Sequence, residues 1–298
     1  MKTLVIGACN IDMIGTSNNE LIDFESNIGH VTISLGGVAK NIATNLFYLG
    51  LDLSFLTLIG NDSLSLLQKT ELDKIGIDYS NSFIKNLKSS SYMAIHNDDG
   101  DLSVGINDMK SFESLRIDDF IEKENYINNF DCLVFDTNLN EEVLSYLIEK
   151  YKDKLIFVDG VSQTKVKRIK NSLKYIDLLK VNHYELNTLL KTENYDIIKG
   201  VKELLKKEIK CVVVSQSTQP ITYNIKDLVY QSIIQKKSNV LSSMGAGDAL
   251  FAGIIYSTIK GNNMHEAVNF GKIVALKTLE VYEANNKEIV KLINSQED

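Results

Sequence analysis

Short apolar runs alternate with helical patterns along most of the chain. The runs have the length and the Val, Ile and Leu content of buried strands, and they cover residues 3–8, 54–59, 131–135, 155–158, 176–179 and 211–215. Apolar residues at helical spacing predict helices over residues 38–49, 63–75, 141–151, 184–190 and 196–206, and an almost wholly helical stretch from residue 246 onward. This alternation predicts an α/β fold, with a mostly parallel sheet covered by helices on both faces.

Two segments, residues 12–35 and 90–107, interrupt the alternation. In the second segment, residues 92–96 and 101–106 read as strands on either side of the turn-forming sequence Asn97-Asp98-Asp99-Gly100. We therefore predict a β-hairpin that lies outside the main sheet.

The length and the composition favour one domain over residues 1–298. The chain is 44% hydrophobic and 24% charged, enough to bury one large core, and no repeat or linker divides it. Its formal net charge of -7 argues against a nucleic-acid or anionic-membrane surface, because phosphate binding relies on clustered Lys and Arg. The first residues lack a signal-peptide pattern and no apolar stretch reaches the ~20 residues that span a bilayer, so we expect a cytoplasmic protein.

A glycine-rich turn late in the chain is the strongest candidate for chemistry. It reads Gly245-Ala246-Gly247-Asp248 and leads into an apolar helical pattern. The bare N–H groups of such a turn and the positive end of the helix dipole attract anions. Asp248 could take a proton from a hydroxyl while the N–H groups of Gly245, Ala246 and Gly247 neutralise a transferring phosphoryl group. Taken alone, the same residues also fit an ordinary glycine-rich loop with a helix-stabilising acid.

A second glycine turn, Gly36-Gly37, lies about 200 residues upstream and opens the predicted helix that carries Asn41. Asn10 and Asp12 follow the first predicted strand, and in an extended chain their side chains point to the same side, at the edge where α/β sheets bind ligands. Asp12 can accept hydrogen bonds from two neighbouring sugar hydroxyls, although an Asp here can also cap a turn. The two glycine turns therefore predict a two-part site.

The GG-x-x-x-N and G-A-G-D motifs together resemble the PfkB, or ribokinase-like, family of carbohydrate and nucleoside kinases, over nearly the whole chain. The resemblance implies a three-layer α/β/α fold with a mostly parallel central sheet and a small β lid, inserted at about residues 12–35 and 90–107. In the family this lid often joins two subunits, so a homodimer through the lid is a further expectation. The family's sugar-holding motif assigns the acceptor to Asn10, Asp12, Gly36, Gly37 and Asn41.

The segment Asn182-His183-Tyr184-Glu185 resembles the N-x-x-E motif of the same family, whose acid organises Mg²⁺ largely through water. The resemblance therefore implies ATP as co-substrate and Mg²⁺ as cofactor, with Glu185 at the metal. The residues that it assigns to the nucleotide are Asn182, Ser215, Ser217, Gly245 and Gly247. Asn182 and Glu185 also have the spacing of a helix N-cap and its capping-box partner, and both roles can hold together.

Further strings resemble the pseudouridine kinases within this family, above all Gly105-Ile106-Asn107-Asp108-Met109 at the end of the predicted hairpin. Asn107 would there face a base rather than a bare sugar, although turn formation explains it equally well. The resemblance implies transfer of the γ-phosphoryl group of ATP to the 5′-hydroxyl of free pseudouridine, with Asp248 as general base. Alternative acceptors are another nucleoside or a simple sugar such as ribose or fructose.

Two stretches depart from the family pattern. Residues 242–244 read Ser-Ser-Met where the family carries Asp-Thr or Asn-x-Thr, and residues 215–221 contain no glycine where a Gly-rich turn binds nucleotide phosphates. Without glycine, close approach of the backbone to a phosphate is harder, although Ser215 and Ser217 still supply hydroxyl donors. A non-catalytic nucleoside-binding protein with a degraded ATP site is therefore the alternative from another class.

Overall fold

A computed structural model of the protein describes residues 1–192, 196–235 and 237–294. In chain order its strands are β1 (Thr3–Ile6), β2 (Asn10–Ser17), β3 (Gly29–Gly36), β4 (Leu53–Leu56), β5 (Leu58–Ile59), β6 (Phe83–Ile84), β7 (Ser91–His96), β8 (Leu102–Asp108), β9 (Cys132–Asp136), β10 (Leu155–Asp159), β11 (Leu178–Asn182), β12 (Val212–Ser215), β13 (Ile221–Ile225) and β14 (Leu228–Ser232). The α-helices are α1 (Val38–Tyr48), α2 (Ser63–Ile75), α3 (Lys110–Glu113), α4 (Ile117–Ile121), α5 (Glu124–Ile127), α6 (Glu141–Lys150), α7 (His183–Leu190), α8 (Ile197–Leu205), α9 (Ala246–Ile259), α10 (Met264–Thr278) and α11 (Lys291–Asn294). Short 3₁₀ helices cover Val166–Ile169, Leu173–Tyr175 and Lys287–Val290.

A large sheet with the strand order β14-β13-β12-β11-β10-β9-β1-β4 forms the centre of the fold. The strands from β12 to β4 are parallel, and β13 and β14 run antiparallel to their neighbours. The chain leaves β1 toward β4 and later enters β9 on the other side of β1, so the strand order reverses there. Ligands of such sheets bind outside the carboxyl ends of the strands at this reversal.

Both faces of the large sheet are buried, each under its own layer of helices. Leu4 and Ile6 belong to the core beneath α6, α7 and α8, whereas Val5 between them belongs to the core shared with α1, α9 and α10. The same alternation recurs in β9, where Leu133 and Val134 enter opposite cores. This period of two is expected of a strand buried on both sides. The three-layer α/β/α arrangement confirms the predicted fold class.

The predicted strands and helices are present, with ends that shift by a few residues. The stretch predicted as one strand over residues 54–59 is divided into β4 and β5, and residues 279–286 lie outside any helix instead of forming the predicted one. Asn285 and Asn286 are weak helix formers, and the Asn286 side chain accepts a hydrogen bond from the N–H of Glu288 (2.9 Å), which caps the 3₁₀ helix that follows. Residues 282–285 are thereby left as a loop beside the N-terminus of α9.

A second sheet with the order β3-β2-β7-β8 is the small β lid that the sequence predicted. Strand β2 pairs antiparallel with β3 and parallel with β7, and β7 and β8 form the expected hairpin. The register aligns one residue from each strand in a row, namely Ser34, Asp12, Tyr92 and Asn107. Since residues paired across a sheet share a face, these four side chains project from the same side of the lid.

The opposite side of the lid is apolar and open to solvent. The neighbouring row consists of Ile33, Met13, Met93 and Ile106, and the exposed fractions of Ile33, Met93 and Ile106 are 53%, 45% and 64%. Val31 and Val104 extend the same surface.

Within the described residues, no helix is both long enough and apolar enough to cross a membrane.

Candidate active site

The turn at Gly245 sets the start of α9 and thus the position of Asp248. Gly245 is the N-cap and adopts φ 71°, in the left-handed region that favours glycine. A β-carbon at this position would overlap the carbonyl oxygen of Ala284 in the 282–285 loop. Asp248 lies in the first turn of α9, where the first N–H groups of a helix have no intrahelical acceptor. This segment therefore presents one carboxylate and the N–H groups of the first helical turn at one point, although the N–H of Ala246 also donates to the carbonyl oxygen of Ser243 (3.3 Å).

Asn41 of α1 and Asp248 of α9 meet directly, although they lie 207 residues apart in sequence. The side-chain N–H of Asn41 donates to Oδ2 of Asp248 at 2.8 Å. The other amide atom, Oδ1 of Asn41, is buried and has no hydrogen-bond partner among the described residues. Because a buried acceptor without a donor is costly, this oxygen favours a ligand that supplies an O–H or N–H group.

The environment of Asp248 makes it a weaker acid than a surface aspartate. Burial is the main cause and the charge of Asp159 adds to it, while Lys180, the bond from Asn41 and the charge of Lys40 act in the other direction; together they raise the pKa of Asp248 to about 7. A carboxylate with a pKa near neutrality suits proton transfer at physiological pH.

Lys180 and Asp159 form a buried ion pair beside the same helix start. The ammonium nitrogen of Lys180 lies 3.0 Å from Oδ2 of Asp159, and it lies 3.2 Å from where a β-carbon on Gly247 would be. Although burial lowers the pKa of Lys180, the carboxylates of Asp159, Asp248 and Glu185 raise it overall, so the group stays charged. One signal for this lysine was not used in the sequence analysis, namely a charged residue inside the apolar strand β11.

Asp136, at the end of β9, ties α1 to the end of β1. It is fully buried, and its Oδ2 accepts hydrogen bonds from the N–H groups of Ala8 (3.1 Å) and Ala39 (3.2 Å). These bonds hold the first turn of α1 next to the reversal of strand order. The sequence predicted the acceptor site at this edge of the sheet. The apolar pattern of β9 gave no indication of this role.

Asn10, Asp12, Gly36 and Gly37 lie together where the lid meets α1. The amide of Asn10 donates to Oδ1 of Asp12, which confirms that the two side chains share a side. A β-carbon on Gly36 would overlap the Asp12 carboxylate, and one on Gly37 would overlap the carbonyl oxygen of Ala8. Burial raises the pKa of Asp12 to about 6, against the opposing effects of Lys40 and Asn10.

Asn182 and Glu185 form the capping box that the sequence allowed as one of their roles. The Glu185 N–H donates to the side-chain oxygen of Asn182 (2.9 Å), and the Glu185 carboxylate accepts from the backbone N–H (2.9 Å) and the amide (2.6 Å) of Asn182. Glu185 Oε2 also lies against Gly160, so this carboxylate and Asp159 share one edge of the sheet. Burial and the charge of Asp159 raise the pKa of Glu185. Among the described residues, no group of three or more His, Cys, Asp or Glu has the arrangement of a metal site.

Ser215 and Ser217 line a cavity of about 670 Å³ that Ala246 and Gly247 close on the other side. Much of the remaining wall is apolar, and two cations, Lys237 and Lys272, lie at its border. Ser217 adopts φ 44°, a left-handed conformation that favours glycine. The structure thus brings together the serines and the glycine turn that the sequence assigned to one nucleotide site.

Asn107 lies on the edge strand of the lid. It is exposed on β8, two strands away from Asp12 in the same row of the lid. Tyr92, which the sequence did not single out as a site residue, lies between them and covers Gly105 with its ring. The lid therefore carries a polar and aromatic row that starts at the sugar-binding candidate Asp12.

Residues 2–290 match the pfkB family of carbohydrate kinases. The chain is 28% identical to the pseudouridine kinase of Escherichia coli (strain K12), over 96% of this chain and 93% of that protein. Its fold is similar to that of a ribokinase from Thermotoga maritima (TM-score 0.86, 20% identity, 98% and 99% of the two chains). A carbohydrate kinase from Agrobacterium tumefaciens is also similar (TM-score 0.84, 24% identity, 99% and 97%). Because the match spans nearly the whole chain, the protein belongs to the pfkB family of carbohydrate kinases.

Proposed function

We propose that the protein transfers the γ-phosphoryl group of ATP to the 5′-hydroxyl of free pseudouridine, with Asp248 as the general base. The observation that carries this proposal is the contact between Asn41 and Asp248, because it joins the acceptor half and the phosphate half of the site at one carboxylate. The similarity to the pseudouridine kinase of Escherichia coli supports the choice of acceptor.

In the proposed reaction Asp248 accepts the proton of the 5′-hydroxyl as the oxygen attacks the γ-phosphorus. A new O–P bond forms, the bond between the γ-phosphorus and the bridging oxygen breaks, and ADP leaves with the electron pair. The N–H groups at the start of α9 and the ammonium of Lys180 beside Gly247 would stabilise the charge on the transferring group. Each of these groups is already fixed by the fold, so little reorganisation is required during the reaction.

On the acceptor side, the carboxylate of Asp12 would accept hydrogen bonds from the ribose diol, and Asn41 Oδ1 would accept from a further donor. A nucleoside differs from a sugar by its base, which needs a surface beyond Asp12. The row through Tyr92 and Asn107 supplies such a surface, since an aromatic ring can stack on a base and an amide can accept from or donate to its edge.

On the donor side, we propose that ATP occupies the 670 Å³ cavity, with its phosphates toward Gly247 and its adenine against the apolar wall. Magnesium would supply charge neutralisation of the phosphates. Glu185 and Asp159 would hold it, largely through water, which agrees with the few direct carboxylates that Mg²⁺ requires. Oδ2 of Asp159 already pairs with the ammonium of Lys180 at 3.0 Å, which fits a contact with Mg²⁺ through water rather than a direct bond.

Purified protein with Mg-ATP should be assayed side by side on pseudouridine, uridine, adenosine, ribose and fructose. The proposal expects the highest kcat/KM for pseudouridine, with pseudouridine 5′-phosphate identified by mass spectrometry. A higher value for ribose or fructose would instead assign the alternative of a sugar kinase.

The non-catalytic alternative rests on residues 215–221 and 242–244, which depart from the family pattern. Calorimetry with Mg-ATP decides this point. If Mg-ATP binds and any acceptor is phosphorylated, this alternative is rejected. If pseudouridine binds but ATP does not, the non-catalytic role replaces the kinase proposal.

We also propose that two copies associate through the outer side of the lid, which is the apolar side opposite the row of Asp12, Tyr92 and Asn107. The exposed apolar residues Val31, Ile33, Met93, Val104 and Ile106 support this contact, because an apolar surface on one side of a sheet is typically covered.

A further inference from the structure

Lys40 is a buried lysine in α1, directly before the site residue Asn41. Its exposed fraction is 4%, and this burial lowers the pKa of its ammonium group. Lysine is rarely buried without compensating partners, because the removal of its charge from water is costly. The surroundings of Lys40 should therefore explain why the chain keeps a charge there.

A chain of hydrogen bonds links Lys40 to the candidate base. Its Nζ donates to Oδ1 of Asn285 (3.1 Å), the amide of Asn285 donates to the carbonyl oxygen of Asn41 (2.9 Å), and the amide of Asn41 donates to Asp248 (2.8 Å). Asn285 belongs to the 282–285 loop, whose Ala284 contacts the Gly245 turn. Lys40 thus anchors the loop that packs on both halves of the site.

Acidic groups from several elements surround Lys40. They are Cys9 after β1, Asp12 of β2, Glu71 of α2 and Asp248 of α9. Among the residues that the structure describes, Lys40 forms no direct ion pair, whereas Glu71 already pairs with Lys74 at 2.6 Å. The charge of Lys40 is therefore available to both Asp12 and Asp248.

The charges that face Asp248 from the packed elements are few. Asp159 of β10 repels its negative charge, and Lys180 of β11 and Lys40 of α1 attract it. Since Lys180 is held by Asp159, Lys40 is the cation in this group without a direct carboxylate partner among the described residues. Asp12 faces Lys40 as well and accepts from Asn10.

We propose that Lys40 is the internal counter-ion of the site, a positioning residue that favours the ionised forms of Asp12 and Asp248 and holds the 282–285 loop against them. This inference rests on the proposed function of those two carboxylates. Asp12, Lys40 and Asn285 also line a cavity of about 510 Å³ between the lid, α1 and α2, so a small cation could reach the position of the ammonium group.

The test compares Lys40→Ala, Lys40→Gln and Lys40→Arg with the surface control Lys207→Met. We expect kcat/KM to fall about 100-fold in K40A and K40Q, to stay within about tenfold of wild type in K40R, and to be unchanged in K207M. Added methylammonium or ethylammonium should restore part of the K40A activity, while equal concentrations of sodium chloride should not. K40Q retains a donor for Asn285, so it serves if K40A does not fold.

Wild-type kcat/KM in folded K40Q would overturn the proposal. Equal losses in K40Q and K40R with no rescue of K40A would overturn it too, because they indicate packing rather than charge. If the wild-type protein phosphorylates none of the acceptors, the proposed function fails, and the counter-ion role is then tested without turnover. In that case the ¹³C shifts of aspartate carboxyl groups in K40Q should titrate at higher pH than in wild type, and unchanged titration would overturn it.

Discussion

At the scale of single residues, the candidate chemistry depends on four carboxylates, each of which has its own hydrogen-bond or ion-pair partner. Asp248 accepts from Asn41, Asp12 accepts from Asn10, Asp159 pairs with Lys180 and Glu185 caps α7. Four buried or half-buried acids in one region require fixed donors and cations to remain ordered. Each acid therefore has a distinct surrounding and can be tested separately.

We expect Asp248→Asn to lower kcat by roughly 10² to 10⁴, the range of general base catalysis. The amide retains the shape of the side chain, so pseudouridine binding measured by calorimetry should change little. Asp227→Asn, in the exposed turn between β13 and β14, is the matched control and should behave as wild type. Near-normal turnover in D248N would remove Asp248 from the role of base.

The pH dependence follows from the same carboxylate. A base acts in its ionised form, and burial raises the pKa of Asp248 to about 7, so kcat/KM should rise with pH up to about 7 and level off above it. The raised pKa also means that the contribution of Asp248 to folding stability falls as the pH rises from about 4 to about 7 and stays low above that, a pH dependence that D248N should remove. A kcat/KM that is constant between pH 5 and 8 would contradict this assignment.

Sequence reasoning could propose Asp248, Asn41 and Asp12 as candidates because their spacing from glycines is local. It could not find Lys40, Lys180 or Asp136 in the same way. Lysine usually lies at the surface, and its burial here depends on elements far away in sequence, such as the loop that carries Asn285. The capping role of Glu185 was foreseen because it needs only the three-residue spacing.

At the scale of elements, glycine positions determine where the backbone can approach a ligand or a neighbouring backbone segment closely. The helix α9 starts where Gly245 turns, and the 282–285 loop packs on that turn. The periodic strands and helices could be predicted from their patterns. The break at residues 279–286 was missed although Asn285 and Asn286 are weak helix formers, because the position of this loop also depends on its packing against α1 and α9.

We expect Gly245→Ala to destabilise the protein by about 2 to 5 kcal/mol, since it adds left-handed strain and an overlap with Ala284. Gly261→Ala is the matched control, because Gly261 also has a positive φ (90°) but its β-carbon would meet open space. That change should cost only about 1 to 2 kcal/mol. Urea denaturation of both variants measures the difference, and equal losses would show that the Ala284 contact is unimportant.

The serine-rich turn offers a test of nucleotide binding. Ser217→Gly should relieve the left-handed conformation of Ser217, raise the free energy of unfolding by roughly 0.5 kcal/mol and lower the KM for ATP. Glu208→Gly removes a similar positive φ (64°) outside the candidate site, so it should change stability but leave the KM for ATP as it is. An unchanged KM in S217G would argue against phosphate binding by this turn.

At the scale of the whole molecule, the fold was predictable because one period dominates each element and strands alternate with helices. The lid was predictable as an interruption of that alternation. The row of the lid that contains Asp12 was not predictable, because only the observed register aligns Asp12 with Tyr92 and Asn107. The single domain over residues 1–298 stays a prediction.

The outer side of the lid leads to a test of assembly. We expect the wild-type protein to sediment as a dimer of its 33.4 kDa chain, and the double variant V31K/I33K to sediment as a monomer, because two charges would be buried in the contact. Leu228→Lys, at an exposed position on the edge strand β14, should leave the mass unchanged. A wild-type monomer at assay concentrations would contradict the proposed contact.

The contact between Asn41 and Asp248 also has a consequence for the newly made chain. A ribosome adds about 5 to 20 residues per second, so the 207 residues between these two side chains take roughly 10 to 40 s to synthesise. During that time the proposed acceptor residues Asn10, Asp12 and Asn41 have already been synthesised, while the proposed base Asp248 has not. Under the proposed function, a nascent chain that has not yet reached Asp248 therefore lacks its general base and cannot phosphorylate an acceptor.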